Sequence, residues 1–346
     1  MNGFSEVFKL PERVPPLEDF YIWTRIRVRK LKTARVVATT VAILIVVGVI
    51  GYFFVMTSGS SLSTSSSHST AGRPIRHVII VLMENEAYDQ VVGSSSAPYE
   101  NLLISRYALA ANYNAVSHPS LPNYIGLVAG DTFGVTNDCQ PSQCSLADST
   151  IANLLDSHGL SWKEYAESMP VNCSQSISQD GLYVPRHNPF VYFSSVTNNT
   201  GSGVTSQYCK THVVPFTQFW NDLQSSSLQN FAFITPNICH DGHDCGLSTG
   251  DSWLSTVIPR IINSDAFSST ALFVVYDEGS GSGADSPSHV LCILVSPFAK
   301  PGYSSNAQYS HYSLLATVET IFSLGNLGRN DSTATTMSDL FTINLS

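Results

Sequence analysis

Charge is scarce in this chain. Asp, Glu, Lys and Arg account for 12% of its 346 residues, against ~25% in an ordinary soluble domain. The formal net charge is −9. A nucleic-acid binder needs a basic face or stripe, and the chain as a whole supplies no such footprint. There is no internal repeat and no second linker beyond about residue 73, which excludes a solenoid or a string of small modules. With so few ionised groups, little stability is tied to carboxylates that must protonate in acid. The composition therefore suits a surface protein meeting acidic or harsh conditions. A Ser/Thr-rich, glycosylated exterior would explain the same scarcity.

What is present begins with one long apolar run. Residues 36–56 hold 21 positions without a charge, enough to cross a bilayer as a helix. About 35 residues precede the run, more than a cleaved leader carries, so the run reads as an uncleaved anchor. Arg25, Arg27, Arg29, Lys30, Lys32 and Arg35 flank its start, and no basic residue follows until Arg73. The positive-inside rule then places the N-terminus in the cytoplasm and the remainder outside. The expected division is a basic cytoplasmic tail (1–35), a transmembrane anchor (36–56), a Ser/Thr-rich linker (57–73) and an extracytoplasmic globular domain (74–346). The linker is the clearest of these in composition, with 11 Ser/Thr among positions 57–70, as in a flexible tether.

Seven cysteines agree with export. Proximity suggests the pairs Cys139/Cys144, Cys173/Cys209 and Cys239/Cys245, although six cysteines allow fifteen connectivities. Cys292 lies in an apolar run and reads as a buried thiol. A zinc cluster around Cys239-His240-Asp241-Gly242-His243-Asp244-Cys245 is the competing reading, which an oxidising compartment disfavours. Asn172, Asn198, Asn330 and Asn344 occupy N-x-Ser/Thr sequons, relevant only to an exported domain.

Apolar runs at 77–83, 231–235, 271–276 and 289–296 read as strands, and 121–129, 149–158, 251–263 and 312–323 as helices. Asp148-Ser149-Thr150 is a plausible helix cap, and Ser161 to Tyr165 begins another strand. This alternation implies a layered α/β domain with a central, mostly parallel sheet flanked by helices. Residues 170–215 read as a long Ser/Asn/Gly-rich excursion beside the substrate entrance. Two of the strands end in oxygen-bearing pairs: Glu84-Asn85 after the first and Asp277-Glu278 after the third. Ligands of open α/β sheets bind at the carboxyl ends of strands, and four such side chains delivered there resemble a site for one divalent metal ion. The metal stays open among calcium, magnesium, manganese and zinc. Ser120, preceded by Pro119 and followed by Leu121-Pro122-Asn123, opens a helix. It is either a plain capping serine or a nucleophile set against free N–H groups that favour a phosphate oxygen.

With those residues in view, His77 to Asp89 (HVIIVLMENEAYD), His118 to Gly130 (HPSLPNYIGLVAG), Phe231 to Asp244 (FAFITPNICHDGHD) and Leu272 to Gly279 (LFVVYDEG) together resemble the phosphoesterase family of acid phosphatases and phosphatidylcholine-type phospholipases C. The likeness runs over roughly residues 74–325. It implies an alkaline-phosphatase-like fold, with Glu84, Asn85, Asp277 and Glu278 as metal ligands and Ser120 as nucleophile. It also implies that Asn123 helps hold phosphoryl oxygens and that His240 stabilises phosphate or protonates the leaving group. Asp277-Glu278 departs from the Asp-Asp of some members; the longer arm keeps a carboxylate but can change geometry. His289 is a second choice for the acid, while His118, His243 and His311 are secondary candidates at the pocket. His68, His158, His187 and His212 read as surface or loop residues. The resulting expectation is a membrane-anchored acid phosphatase acting through a phosphoserine. A phospholipase C acting on lipid headgroups and a non-catalytic surface binding glycoprotein are the alternatives. The substrate is a small phosphoester or a phospholipid headgroup, with no nucleic-acid partner and an open oligomeric state.

Overall fold

The computed structural model of the protein describes residues 72–198, 206–280 and 288–345. The proposed tail and anchor, and all but the last two residues of the proposed linker, lie outside them. Among the described residues no helix is long and apolar enough to cross a membrane.

Eleven short strands are labelled in chain order: β1 His77–Met83, β2 Ala108–Ala110, β3 Tyr113–Asn114, β4 Trp162–Ala166, β5 Val213–Pro215, β6 Phe231–Thr235, β7 Thr270–Tyr276, β8 His289–Val290, β9 Cys292–Val295, β10 Ser304–Ser305 and β11 Tyr309–Ser310. The main sheet runs β10-β2-β9-β7-β1-β6-β4-β5. Its β7-β1-β6-β4-β5 half is parallel, while β9 is antiparallel to both β7 and β2. The sheet is thus mostly parallel, as the alternation of runs implied. Every residue of β1 from Val78 to Met83 is buried, and all seven of β7 are. A parallel strand covered on both faces can afford no polar side, which is why these segments read as unbroken Val/Ile/Leu runs.

The longer helices are α1 Pro98–Arg106, α2 Ser120–Ala129, α3 Ile151–Ser157, α4 Thr217–Gln224, α5 Leu247–Ile262 and α6 His311–Phe322. All ten residues of α2 are buried, and a helix apolar on all sides must lie inside the protein. It stops at Gly130, whose φ of 74° is left-handed, a conformation open to glycine at no steric cost. Thr150 caps α3, accepting the amide of Ala152 at 3.2 Å.

Two sequence expectations change. The run 289–296 splits: His289–Val290 pairs with β3 in a separate three-stranded sheet, while Cys292–Val295 joins the main one. The described residues of the excursion 170–215 are tied into the core as well as reaching the site. Phe190, Tyr192 and Phe193 within it are at most 1% exposed, its Cys173 is bonded to Cys209, and β5 completes the edge of the main sheet. Its polar composition masked a few aromatic anchors. The other two guessed disulfides, Cys139–Cys144 and Cys239–Cys245, also form. Cys239 and Cys245 are therefore no thiolate ligands, which sets the zinc-cluster reading aside. Cys292 is a buried free thiol.

Candidate active site

Adjacent parallel strands bring the two acidic ends together. Met83 of β1 is in register with Tyr276 of β7, so Glu84 and Asp277 leave the sheet side by side. The Asp277 amide donates to the Met83 carbonyl at 2.9 Å. Asp277 Oδ1 accepts the backbone amides of Asn85 at 3.2 Å and Glu278 at 2.6 Å. Asn85 has a φ of 62°, a left-handed conformation that Asn tolerates better than most residues.

Ser120 is the first residue of α2, with Pro119 at the capping position. Its hydroxyl lies 3.0 Å from Glu84 Oε2 and 3.4 Å from Glu278 Oε1, so the two carboxylates share one donated proton. The sequence-predicted Ser120, Glu84 and Glu278 thus meet in one buried cluster, with Asp277 between the acids. Asn123 touches it too: its Nδ2 is 3.4 Å from Glu278 Oε2. The rest of that amide has another task. Oδ1 accepts the amides of Val116 and Ser117 at 2.9 Å, and Nδ2 donates to the Ser117 carbonyl at 2.9 Å. Asn123 holds the turn that delivers Ser120, and an apolar substitute would strand those groups at roughly 1–3 kcal/mol each.

The histidines that meet the cluster include two secondary candidates of the sequence, His118 and His243, and one it did not single out, His187. His118 Nδ1 is 2.6 Å from Glu278 Oε2. His187, which the sequence suggested was a loop residue, is 2% exposed. It lies 3.1 Å from Glu84 Oε1 through Nε2 and 3.0 Å from Asp241 Oδ2 through Nδ1, and it stacks on Tyr124 of α2 with ring centroids 5.3 Å apart. His243 completes a group with Glu84 and His187 whose ligand atoms all lie within 4.8 Å of one another. The Cys239–Cys245 disulfide closes the short loop that carries His240, Asp241 and His243. A cue to His187 existed: it sits in Pro185-Arg186-His187-Asn188-Pro189, where two prolines fix a turn in an otherwise loose stretch.

His240 and His289 stand apart from Ser120 in the hydrogen bonds they make. His240 Nδ1 lies 2.9 Å from Glu167 Oε2, and Glu167 in turn accepts the Trp253 indole N–H at 3.2 Å. The His240 side chain is 38% exposed, so this Glu–His dyad faces outward. His289 Nε2 lies 2.8 Å from the Ala111 carbonyl and its ring stacks on Tyr88 at 4.2 Å. His311 is fully buried between the Tyr113 hydroxyl and the Asp277 carbonyl, 2.7 Å from the latter, a brace for the strand end.

Burial dominates the electrostatics. It raises the proton affinity of Glu84, against the partial opposition of His187, and it pushes Asp277 well above the carboxylate range. Burial first, then the Glu84 charge, carries Glu278 up to about 8. Burial likewise takes Asp241 to about 7 and lowers His187 to about 4. Four carboxyl groups are gathered here at no more than 4% exposure. Buried carboxylates persist only if protons or a cation neutralise them. Asp277 Oδ2 is moreover a buried oxygen with no hydrogen-bond partner. That orphaned oxygen and the acid-rich lining fit a divalent cation. The nearby imidazoles of His187 and His243 add nitrogen donors to a set that the sequence presented as oxygen only, and nitrogen suits a transition metal better than calcium or magnesium.

Comparison with known proteins places this arrangement. The profile described as "Phosphoesterase family" matches residues 94–325. The chain is 33% identical over 276 residues to a probable acid phosphatase of Kluyveromyces lactis, covering 76% of this chain and 62% of that protein. It is 34% identical over 259 residues to an acid phosphatase of Aspergillus fumigatus, covering 72% and 56%. A phosphatidylinositol-3-phosphatase of Mycobacterium tuberculosis is 31% identical over 252 residues, covering 73% of this chain and 78% of its own. The chain belongs to the Phosphoesterase family. Among solved structures, a protein of the alkaline phosphatase superfamily from Vibrio parahaemolyticus superimposes with a TM-score of 0.52 at 12% identity, covering 78% of this chain and 72% of its own. Human ectonucleotide pyrophosphatase/phosphodiesterase 5 does so with a TM-score of 0.52 at 10% identity, covering 77% and 100%. The fold is alkaline-phosphatase-like. The chain spans 62% and 56% of the length of the two fungal relatives, less than two thirds of either.

Proposed function

We propose that the protein hydrolyses phosphomonoesters as an acid phosphatase, with Ser120 as nucleophile. The observation that carries this reading is the Ser120 hydroxyl, set at the first turn of α2 and hydrogen-bonded to Glu84 and Glu278. Those bonds orient its lone pairs, and the helix start offers N–H groups to a phosphoryl oxygen. Ser120 Oγ attacks phosphorus in line, its proton passes to a neighbouring carboxyl group, and the P–O bond to the leaving alcohol breaks. Glu167 holds His240 through Nδ1, leaving the other ring nitrogen to protonate the departing oxygen. Water then cleaves the phosphoserine and releases inorganic phosphate. A divalent cation bound by Glu84, Asp277 and Glu278, with Asn85 or His187 and His243 as further donors, would lower the hydroxyl pKa and withdraw charge from the phosphoryl oxygens.

The names of the relatives support this reading, since one of those cited is named an acid phosphatase and another a probable acid phosphatase. The mycobacterial relative named for a phosphoinositide favours a second reading, a phosphatase of lipid-borne phosphomonoesters. Anchoring through residues 36–56, with the domain outside the membrane, would bring such a headgroup within reach. Product analysis separates the readings. Free phosphate from p-nitrophenyl phosphate and from a phosphoinositide dispersion supports phosphatase action. A phosphorylated headgroup released from phosphatidylcholine supports the phospholipase C alternative, and binding without turnover supports a surface binding module.

A further inference from the structure

Nine Lys or Arg residues occur after residue 72, and among the described residues Arg186 is the one that touches the site. Arg186 shares a short 3₁₀ turn, Pro185–His187, with the buried His187, so its backbone is fixed by the site itself. Its Nη2 lies 3.4 Å from His243 Nε2, and its Nε lies 3.9 Å from Asp138 Oδ2. The other oxygen of the same carboxylate, Asp138 Oδ1, accepts the amide of Leu121 at 3.0 Å. Leu121 directly follows Ser120 at the start of α2. One carboxylate therefore spans the two donors best suited to a phosphoryl group on Ser120, a helix-start N–H and a guanidinium. The Asp138 loop is anchored from behind, where the Tyr192 hydroxyl donates to the Cys139 carbonyl at 2.7 Å.

We propose that Arg186 is the clamp for the non-bridging oxygens of the phosphoryl group, and that Asp138 occupies their place until substrate arrives. This rests on the reading of Ser120 as the phosphoryl acceptor. A carboxylate presents two oxygens to an amide and a guanidinium much as a phosphate does. An incoming phosphoester replaces Asp138 on both donors. The approach of 3.9 Å is longer than a close charge-assisted hydrogen bond, so the guanidinium is held loosely enough to be given up. Its planar fork then bonds two phosphoryl oxygens at once, which a lysine at this position could not do. Asp138 is a positioning residue and an internal competitor; Arg186 touches substrate.

The test measures binding of inorganic phosphate by calorimetry alongside hydrolysis of p-nitrophenyl phosphate. It compares the full-length wild type with Arg186→Ala, Arg186→Lys and Asp138→Asn, with thermal melts verifying that each folds. Arg186→Ala weakens phosphate binding and raises KM by about tenfold or more, the loss expected for charge-assisted bonds, and Arg186→Lys recovers part of it. Asp138→Asn tightens phosphate binding several-fold, because the competing charge is gone while the fold is kept. Phosphate affinity within twofold of wild type in folded Arg186→Ala overturns the clamp, and weaker phosphate binding in folded Asp138→Asn overturns the placeholder. Arg186-dependent phosphate binding without any hydrolysis keeps the clamp and removes the phosphatase reading. Hydrolysis with Arg186-independent phosphate affinity does the reverse.

Discussion

Glu319→Gln should flatten part of the pH dependence of stability. Glu319 lies in α6 at 2% exposure, beside the equally buried Asp331. Asp331 is committed to backbone, accepting the amides of Leu327 at 2.6 Å and Arg329 at 2.9 Å. It also packs against Gly130 at the end of α2, and the amide of Asn330 donates to the Gly130 carbonyl at 3.1 Å. Burial first, then the Asp331 charge, raises Glu319 from 4.5 to about 8. A carboxyl group whose folded pKa lies above its unfolded one retains its proton on folding. The native state then binds more protons than the unfolded state between pH 4.5 and about 8, so stability is full below that window and falls as pH rises through it. At about 1.4 kcal/mol per pH unit, a shift from 4.5 to about 8 amounts to a loss on the order of 5 kcal/mol. Gln imitates the protonated acid and does not titrate. Glu100, also raised to about 8 by burial, remains as common background. Urea unfolding of both proteins at pH 5, 7 and 9 isolates the difference. Wild type should lose several kcal/mol relative to Glu319→Gln across that range, and parallel profiles would refute the reasoning.

Three further outcomes follow from particular contacts. A Cβ at Gly130 would stand 2.4 Å from Asp331 Oδ1 at a φ of 74°, so Gly130→Ala should lower stability by about 2 kcal/mol or more, read from the urea midpoint. His187→Ala removes the imidazole between Glu84 and Asp241 and should reduce kcat/KM about 10–100-fold, as loss of a residue that orients metal ligands does. Chelation should reduce hydrolysis of p-nitrophenyl phosphate to near the uncatalysed level, with recovery on adding back a divalent ion; activity indifferent to exhaustive chelation would exclude the cation.

Much of this arrangement was legible in the residues because it rests on two strong signals. Fully buried parallel strands cannot hide their apolar runs, so β1, β6 and β7 could be placed, and with them Glu84 and Asp277 at adjacent strand ends. Ser120 was legible because proline and glycine punctuate its helix at both ends. His187 was not, since its role comes from contacts with Glu84 and Asp241, distant in sequence by 103 and 54 residues, and no local pattern records such meetings. Glu167 was hidden for the same reason: it directly follows β4 and reaches His240, beyond the end of the neighbouring β6. The run 289–296 misled because a break at Leu291, between strands of two different sheets, leaves no mark in hydropathy.

The most direct test of the central claim is hydrolysis of p-nitrophenyl phosphate between about pH 3 and pH 9 by wild type and Ser120→Ala, each shown to be folded. The account predicts turnover by the wild type and almost none by the variant, with phosphate trapped on Ser120 when the wild type is quenched in acid. Undiminished hydrolysis by folded Ser120→Ala would contradict it.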